Sequence, residues 1–296
     1  MSAASTGVSI PDLTTAKTII LGVVEGITEF LPISSSGHLI FAERWLGLGP
    51  DKVDKVALDA FTVVVQIGAI LAVVGVYRRR FVSMFNGVLG KSISGRKVLY
   101  SVLAGFVPAA VIGKAFNTKI KDHLLKPWPV VIAWLVGGVL ILLFAKIWGR
   151  GGRIRRVEDI TPVTGFVIGL AQAVALMPGT SRSLVTIMAA LLVGCSMAVA
   201  VEYSFLLGFV TLSAATVFEL AKDHKALTDA FGYGKPLLAT VVAGIVAFAS
   251  VKFMINWLNR KGLKLFAYYR FAAAAVGIFL ILTHRLGHES LSALKP

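Results

Sequence analysis

The stretch Val24-Glu-Gly-Ile-Thr-Glu-Phe-Leu-Pro-Ile-Ser-Ser-Ser-Gly-His38 decides the fold, because it breaks an apolar run with a proline, hydroxyls, two carboxylates and a histidine. It joins apolar segments 16–31 and 39–48, both shorter than the ~20 residues needed to cross the hydrocarbon core of a bilayer. A second broken pair stands in the other half of the chain, where segments 161–177 and 184–200 flank Pro178-Gly-Thr-Ser-Arg-Ser183. Short helices joined by irregular polar backbone suit re-entrant hairpins lining a polar cavity, since lipid offers that backbone no hydrogen-bond partner.

Beyond these pairs, the segments 58–77, 98–116, 128–148, 203–221, 236–258 and 266–285 are long and apolar enough to span. The two tips also correspond. Gly22, Glu25, Pro32, Ser34, Ser35 and Ser36 match Gly169, Gln172, Pro178, Thr180, Ser181 and Arg182, with one residue fewer before the second proline. Each broken pair is followed by three spans, so 1–296 reads as a single integral-membrane domain made of repeats at about 1–150 and 151–296. Three is odd, so the copies insert in opposite orientation. The expected fold is an all-α polytopic membrane protein: an inverted repeat with six transmembrane helices and two re-entrant helix pairs meeting at the midplane.

Composition agrees. The 296 residues are 56% hydrophobic and only 15% charged, with mean hydropathy +0.81, against about 25% charged in a soluble domain. Disordered, fibrous and conventional cytosolic classes are excluded. The net charge is +15, but no soluble module exists to present a nucleic-acid surface, so the excess is read as orientation and contact with anionic membrane lipids. With both termini outside, the cytoplasmic loops carry Arg78, Arg79, Arg80, Lys91, Arg96, Lys97, Arg150, Arg153, Arg155, Arg156, Arg260, Lys261 and Lys264. These outnumber Lys52, Lys55, Lys119, Lys121, Lys126, Lys222, Lys225 and Lys235 outside. Among charges within spans, Asp59, Lys114, Lys146 and Glu219 are expected to snorkel, and Lys252 and Arg270 to face protein. Cys195 is expected to be packing, and no cleaved signal peptide is expected.

The polar groups at the tips are the candidates for chemistry. Glu25 and Glu29 lie four residues apart, on one helix face, where both stay ionised only beside a cation. Ser34, Ser35 and Ser36 open the return helix, whose unpaired amides and positive dipole end make an anion site, with His38 in its first turns. Arg182, between Ser181 and Ser183, offers planar donors suited to phosphate, and Thr186 adds a hydroxyl one turn on. The blander alternatives are interfacial carboxylates, an incidental histidine and a snorkelling arginine. Together the groups suit phosphoryl transfer, with charge to neutralise phosphate, a nucleophile and a proton carrier.

Glu25-Gly-Ile-Thr-Glu29 with Phe30-Leu-Pro-Ile-Ser-Ser-Ser-Gly-His38, and Pro178-Gly-Thr-Ser-Arg-Ser-Leu-Val-Thr186, resemble the two signature motifs of the bacterial undecaprenyl-diphosphate phosphatase (bacitracin-resistance protein) family. The resemblance extends over almost the whole chain in length, span count and repeat order. It implies an enzyme of the bacterial cytoplasmic membrane that hydrolyses undecaprenyl diphosphate to undecaprenyl phosphate and inorganic phosphate, recycling the lipid carrier for peptidoglycan. It also implies a divalent cation, Mg²⁺ or Ca²⁺, and an effect on sensitivity to bacitracin, which sequesters the substrate. Carried over, Glu25 and Glu29 are catalytic and metal-binding, and Ser35 and His38 are catalytic. Arg182 is catalytic and binds phosphate together with Ser34, Ser181, Ser183 and Thr186. Two nucleophiles stay open: Ser35 with His38 moving the proton, which is favoured, or His38 itself. The rival function is a polyprenyl-phosphate flippase or transporter using the same midplane site. A homodimer also stays open, although no stripe of small residues marks a dimer face.

Overall fold

A computed structural model describes residues 13–48, 55–123, 126–147, 152–283 and 285–286. The helices run α1 (Thr15–Thr28), α2 (Ser35–Trp45), α3 (Lys55–Val76), α4 (Arg78–Val88), α5 (Ile93–His123), α6 (Pro127–Ile147), α7 (Pro162–Gln172), α8 (Arg182–Leu192), α9 (Met197–Phe231), α10 (Gly234–Lys261) and α11 (Lys264–Leu282). Among the described residues α3, α5, α6, α9, α10 and α11 are long and apolar enough to cross a membrane, and they coincide with the six expected spans. The protein is an all-α, multi-pass membrane protein.

Local chemistry marks the same boundaries in both halves. Thr14 caps α1 by accepting the amide of Lys17 at 3.3 Å, and Thr161 caps α7 by accepting that of Thr164 at 3.1 Å. Pro162 at the start of α7 loses no hydrogen bond there, because a first-turn amide has no helical partner. One expected segment divides. The apolar run 184–200 is two helices, because the chain turns at 193–196 with Gly194 at φ +96° and Ser196 capping α9. Ile154 and Cys195 pair through their backbones at this turn, which buries Cys195 completely.

The two halves interlock. α1 packs on α10, α7 packs on α5, α3 meets α9 and α6 meets α11. If α1, α2, α3, α5 and α6 correspond to α7, α8, α9, α10 and α11, the first two contacts are one contact read from either half. Glycine makes both close: a Cβ at Gly22 would stand 2.7 Å from the Ala239 carbonyl oxygen, and one at Gly169 would run into the Gly105 carbonyl. Each short first helix is thereby wedged against a long helix of the opposite half of the chain.

The charges test the expected topology. Arg80, just after α3, reaches Glu202 at 2.7 Å and Glu158 at 3.6 Å, and Arg156 reaches Glu158 at 2.9 Å. Two of the basic loops therefore meet on one face. The termini, Lys52 and Arg150 lie outside the described residues, as do the side chains of Lys119 and Lys121. Two expectations for span charges are corrected. Lys252 is exposed and lies over the Phe248 ring at 4.2 Å, because α10 packs through Ala239, Ala243, Ala247, Val251 and Met254 and turns the next position outward. Glu219 is only 7% exposed rather than snorkelling. Arg270 is fully buried, as expected.

Candidate active site

The tips of the two hairpins share one backbone. Ser34, which caps α2, has φ +75° and ψ 102°, and Ser181, which caps α8, has φ +74° and ψ 109°. Both are non-glycine residues in a region that costs roughly 1–3 kcal/mol, and they are the only ones among the described residues. Each cap serine accepts an amide three residues on, from Gly37 at 3.4 Å and from Leu184 at 3.3 Å. This leaves the first two amides of each helix, at Ser35 and Ser36 and at Arg182 and Ser183, with no protein partner among the described residues. Two positive helix ends are thus available to an anion.

Three consecutive irregular carbonyls between Glu29 and Ser35 have side-chain donors. Leu31 accepts from Ser183 Oγ at 2.9 Å, Pro32 from Arg270 at 3.1 Å and Ile33 from Trp134 Nε1 at 3.0 Å. Each such carbonyl left unpaired in lipid costs several kcal/mol, so these donors fix the tip against the second hairpin, α6 and α11.

The caps correct the pairing expected from sequence by one residue: Ser34 matches Ser181 rather than Thr180, and Ser35 matches Arg182 rather than Ser181, because the residue missing before Pro178 is regained before the cap. Side chains give the tips different chemistry at these matching positions. Ser35 is the first residue of α2, and its hydroxyl donates to Glu29 Oε2 at 2.5 Å. Arg182 is the first residue of α8 and donates through one terminal nitrogen to Glu29 Oε1 at 2.9 Å. Its other terminal nitrogen donates to the Ser204 carbonyl at 3.4 Å, and its plane lies over the Phe30 ring at 4.9 Å. A Cβ at Gly208 would collide with the guanidinium, so the arginine occupies space that only glycine leaves. Glu29 and Arg182 are 4% and 12% exposed, which makes this a buried ion pair.

Two polar groups at the centre are unsatisfied. Glu25 is completely buried and neither of its oxygens has a hydrogen-bond partner, and Arg182 Nε also lacks one. A buried carboxyl beside a carboxylate stays ionised only with a counter-cation and otherwise holds a proton, and a free guanidinium N–H needs an acceptor. Among the described residues no group of three or more His, Cys, Asp or Glu converges on a metal position. An ion of the Mg²⁺ or Ca²⁺ kind nevertheless fits Glu25 and Glu29, since hard cations, Mg²⁺ in particular, are often held by one or two carboxylates and completed by phosphate oxygens.

Of the remaining sequence candidates, Ser181, Ser183 and Thr186 lie behind the tip. Ser183 binds Leu31 and meets Ser181 Oγ at 3.1 Å, while Thr186 Oγ1 donates to the Arg182 carbonyl at 2.8 Å and meets Ser204 Oγ at 2.6 Å. His38 stands to one side. Its Nδ1 donates to the Ser34 carbonyl at 2.7 Å, so the Nε2 lone pair accepts the Tyr269 hydroxyl at 2.9 Å. Its ring rests against Trp134 at 4.8 Å and Tyr269 at 5.6 Å, between centroids. Tyr269, Trp134, Ser204 and Gly208 were not singled out from sequence. They come from three long helices, and only spatial proximity identifies them. Arg270 gave one signal, a charge deep within an apolar span.

A family model described as bacitracin resistance protein BacA matches residues 18–276. The chain is 43% identical over 277 residues to undecaprenyl-diphosphatase 2 of Rhodospirillum rubrum, covering 94% of this chain and 97% of the relative. It is 41% identical over 268 residues to undecaprenyl-diphosphatase of Sorangium cellulosum, covering 88% and 85%. Against undecaprenyl-diphosphatase of Rhodopseudomonas palustris it is 39% identical over 267 residues, covering 90% and 96%.

Proposed function

Since this chain belongs to the bacitracin resistance protein BacA family, we infer that it hydrolyses undecaprenyl diphosphate to undecaprenyl phosphate and inorganic phosphate. The product is the lipid carrier for peptidoglycan synthesis, and removal of the diphosphate takes away the lipid that bacitracin sequesters. The observation that carries a site assignment is Glu29 holding the Ser35 hydroxyl on one oxygen and Arg182 on the other, one turn from Glu25, whose oxygens are unpartnered, as is Arg182 Nε.

Arg182 and the amides opening α2 and α8 receive the diphosphate, whose C55 tail stays in lipid. Ser35 Oγ attacks the terminal phosphorus while its proton passes to Glu29 Oε2. The bond to the bridging oxygen breaks and its electron pair leaves with undecaprenyl phosphate. That group has a second pKa of about 6, so it departs without a general acid. Water then takes the phosphoryl group from Ser35, and Glu29 returns the proton to Ser35 Oγ. The buried Ser183 and Thr186 hydroxyls hold the second tip in place. Glu25 and Glu29 would hold the divalent cation, which supplies neutralisation of the phosphate charge. His38 is oriented by Ser34 and Tyr269 rather than by either glutamate, which favours serine attack. The basic face carrying Arg80 and Arg156 lies on the cytoplasmic side of the bacterial inner membrane.

Release of inorganic phosphate from undecaprenyl diphosphate by the detergent-purified protein tests this reading, because transport cannot register without a bilayer. Release that stops on chelation and resumes with Mg²⁺ or Ca²⁺ is expected. Intact, folded protein that releases none contradicts hydrolysis and leaves lipid transport as the activity.

A further inference from the structure

We propose that Arg270 is a positioning residue that fixes the separation of Ser35 and Arg182 by clasping the main chains of both tips. This rests on the site reading above. Arg270 is on α11, is fully buried, and has no carboxylate at ion-pair distance among the described residues. It is satisfied instead by carbonyls from three separate stretches of chain. One terminal nitrogen donates to Pro32 at 3.1 Å. The other donates to Gly179 at 2.7 Å, Ala133 at 2.9 Å and Thr180 at 3.3 Å, and Nε donates to Trp134 at 3.3 Å.

The positions of these acceptors give the clasp its meaning. Pro32 is three residues before Ser35, and Gly179 and Thr180 are three and two residues before Arg182. One rigid plane therefore sets both stretches that lead into the reactive groups. A lysine carries the same charge but three donors on a single point, which cannot span acceptors from three segments. α6 is shaped for the guanidinium: a Cβ at Gly137 would stand 2.5 Å from an Arg270 terminal nitrogen, and one at Gly138 would stand 2.6 Å from the Phe271 ring. The remaining α6–α11 contact, including Val131 against Gly277 and the apolar group Trp134, Ala274 and Ile281, does not use the arginine. Packing of the two helices and placement of the tips are thus separable.

The test measures kcat and KM for phosphate release, with melting temperature, for Arg270→Lys and Gly137→Ala beside wild type and Ser35→Ala. A misplacement of about 1 Å at a reacting centre costs about 100-fold. Arg270→Lys is therefore expected to lose about 100-fold in kcat with KM within threefold, and methylguanidinium is expected to restore part of the kcat of Arg270→Ala. Gly137→Ala, which keeps the arginine but displaces it, is expected to lose kcat in the same direction, and it decides the matter if Arg270→Lys does not fold. Arg270→Lys with full kcat, or with a raised KM and unchanged kcat, overturns the proposal. Ser35→Ala with normal activity overturns the site reading instead, so the two failures are distinct.

Discussion

The two hairpin tips have nearly the same backbone and almost opposite chemistry. Ser34 and Ser181 share an uncommon positive-φ cap, and the next residue is the nucleophile candidate Ser35 in one tip and the cation Arg182 in the other. One turn and more upstream the contrast repeats. Glu25 is buried with both oxygens unpartnered, whereas Gln172, its counterpart by sequence, donates to Thr211 Oγ1 at 3.2 Å and is 2% exposed. The shared backbone supplies position: two helix starts with free amides, whose first side chains both reach Glu29. Divergence of side chains gives the proposed division of labour, with the candidate acid and nucleophile from one half and the candidate phosphate-binding cation from the other. A symmetric pair of acidic tips would repel a diphosphate, and a symmetric pair of basic tips would have no base for a hydroxyl.

Substitutions that blur this contrast should be costly in order of their distance from the reacting atoms. Glu29→Gln keeps a partner for Arg182 but cannot take the Ser35 proton, and kcat is expected to fall by about 10³-fold or more. Glu25→Gln makes tip one resemble tip two, and is expected to cost about 100-fold and to raise the Mg²⁺ concentration needed for half-maximal rate. Its mirror, Gln172→Met, removes the bond to Thr211 and is expected to leave kcat within threefold while lowering stability by about 1 kcal/mol. Equal losses from these two would show that the tips share one role. Gly208→Ala pushes on the Arg182 guanidinium without touching tip one, so about a 10-fold loss in kcat/KM is expected, read against an unchanged melting temperature. Also small is the effect of Tyr269→Phe, which frees His38 Nε2 and is expected to change kcat by less than about fivefold. A larger loss would return His38 to the proton path.

Much of this arrangement was legible in the sequence because it is local. Pro32, Pro178 and the hydroxyls beside them interrupt apolar runs over a few residues, and the four-residue spacing of Glu25 and Glu29 fixes their shared face. The division of 184–200 has local marks in Gly194 and the cap Ser196, but neither interrupts the apolar run as a proline does, and the pairing of Cys195 with Ile154 at the turn was not visible in sequence. Nor was the direction of Lys252, since which side of a uniformly apolar helix faces protein is set by its neighbours. The donors that close the tips are furthest from view: Arg270 and Pro32 are 238 residues apart, and Trp134 and Ile33 are 101 apart. Glycines such as Gly137 and Gly208 read as helix-weakening residues until the arginine each admits is seen.

The most direct measurement is a single turnover with substrate labelled at the terminal phosphate, quenched within the turnover and mapped on the protein. A transient phosphate on Ser35, stable to acid, labile to base and absent in Ser35→Ala, is expected. An acid-labile, base-stable phosphate on His38 would contradict serine attack.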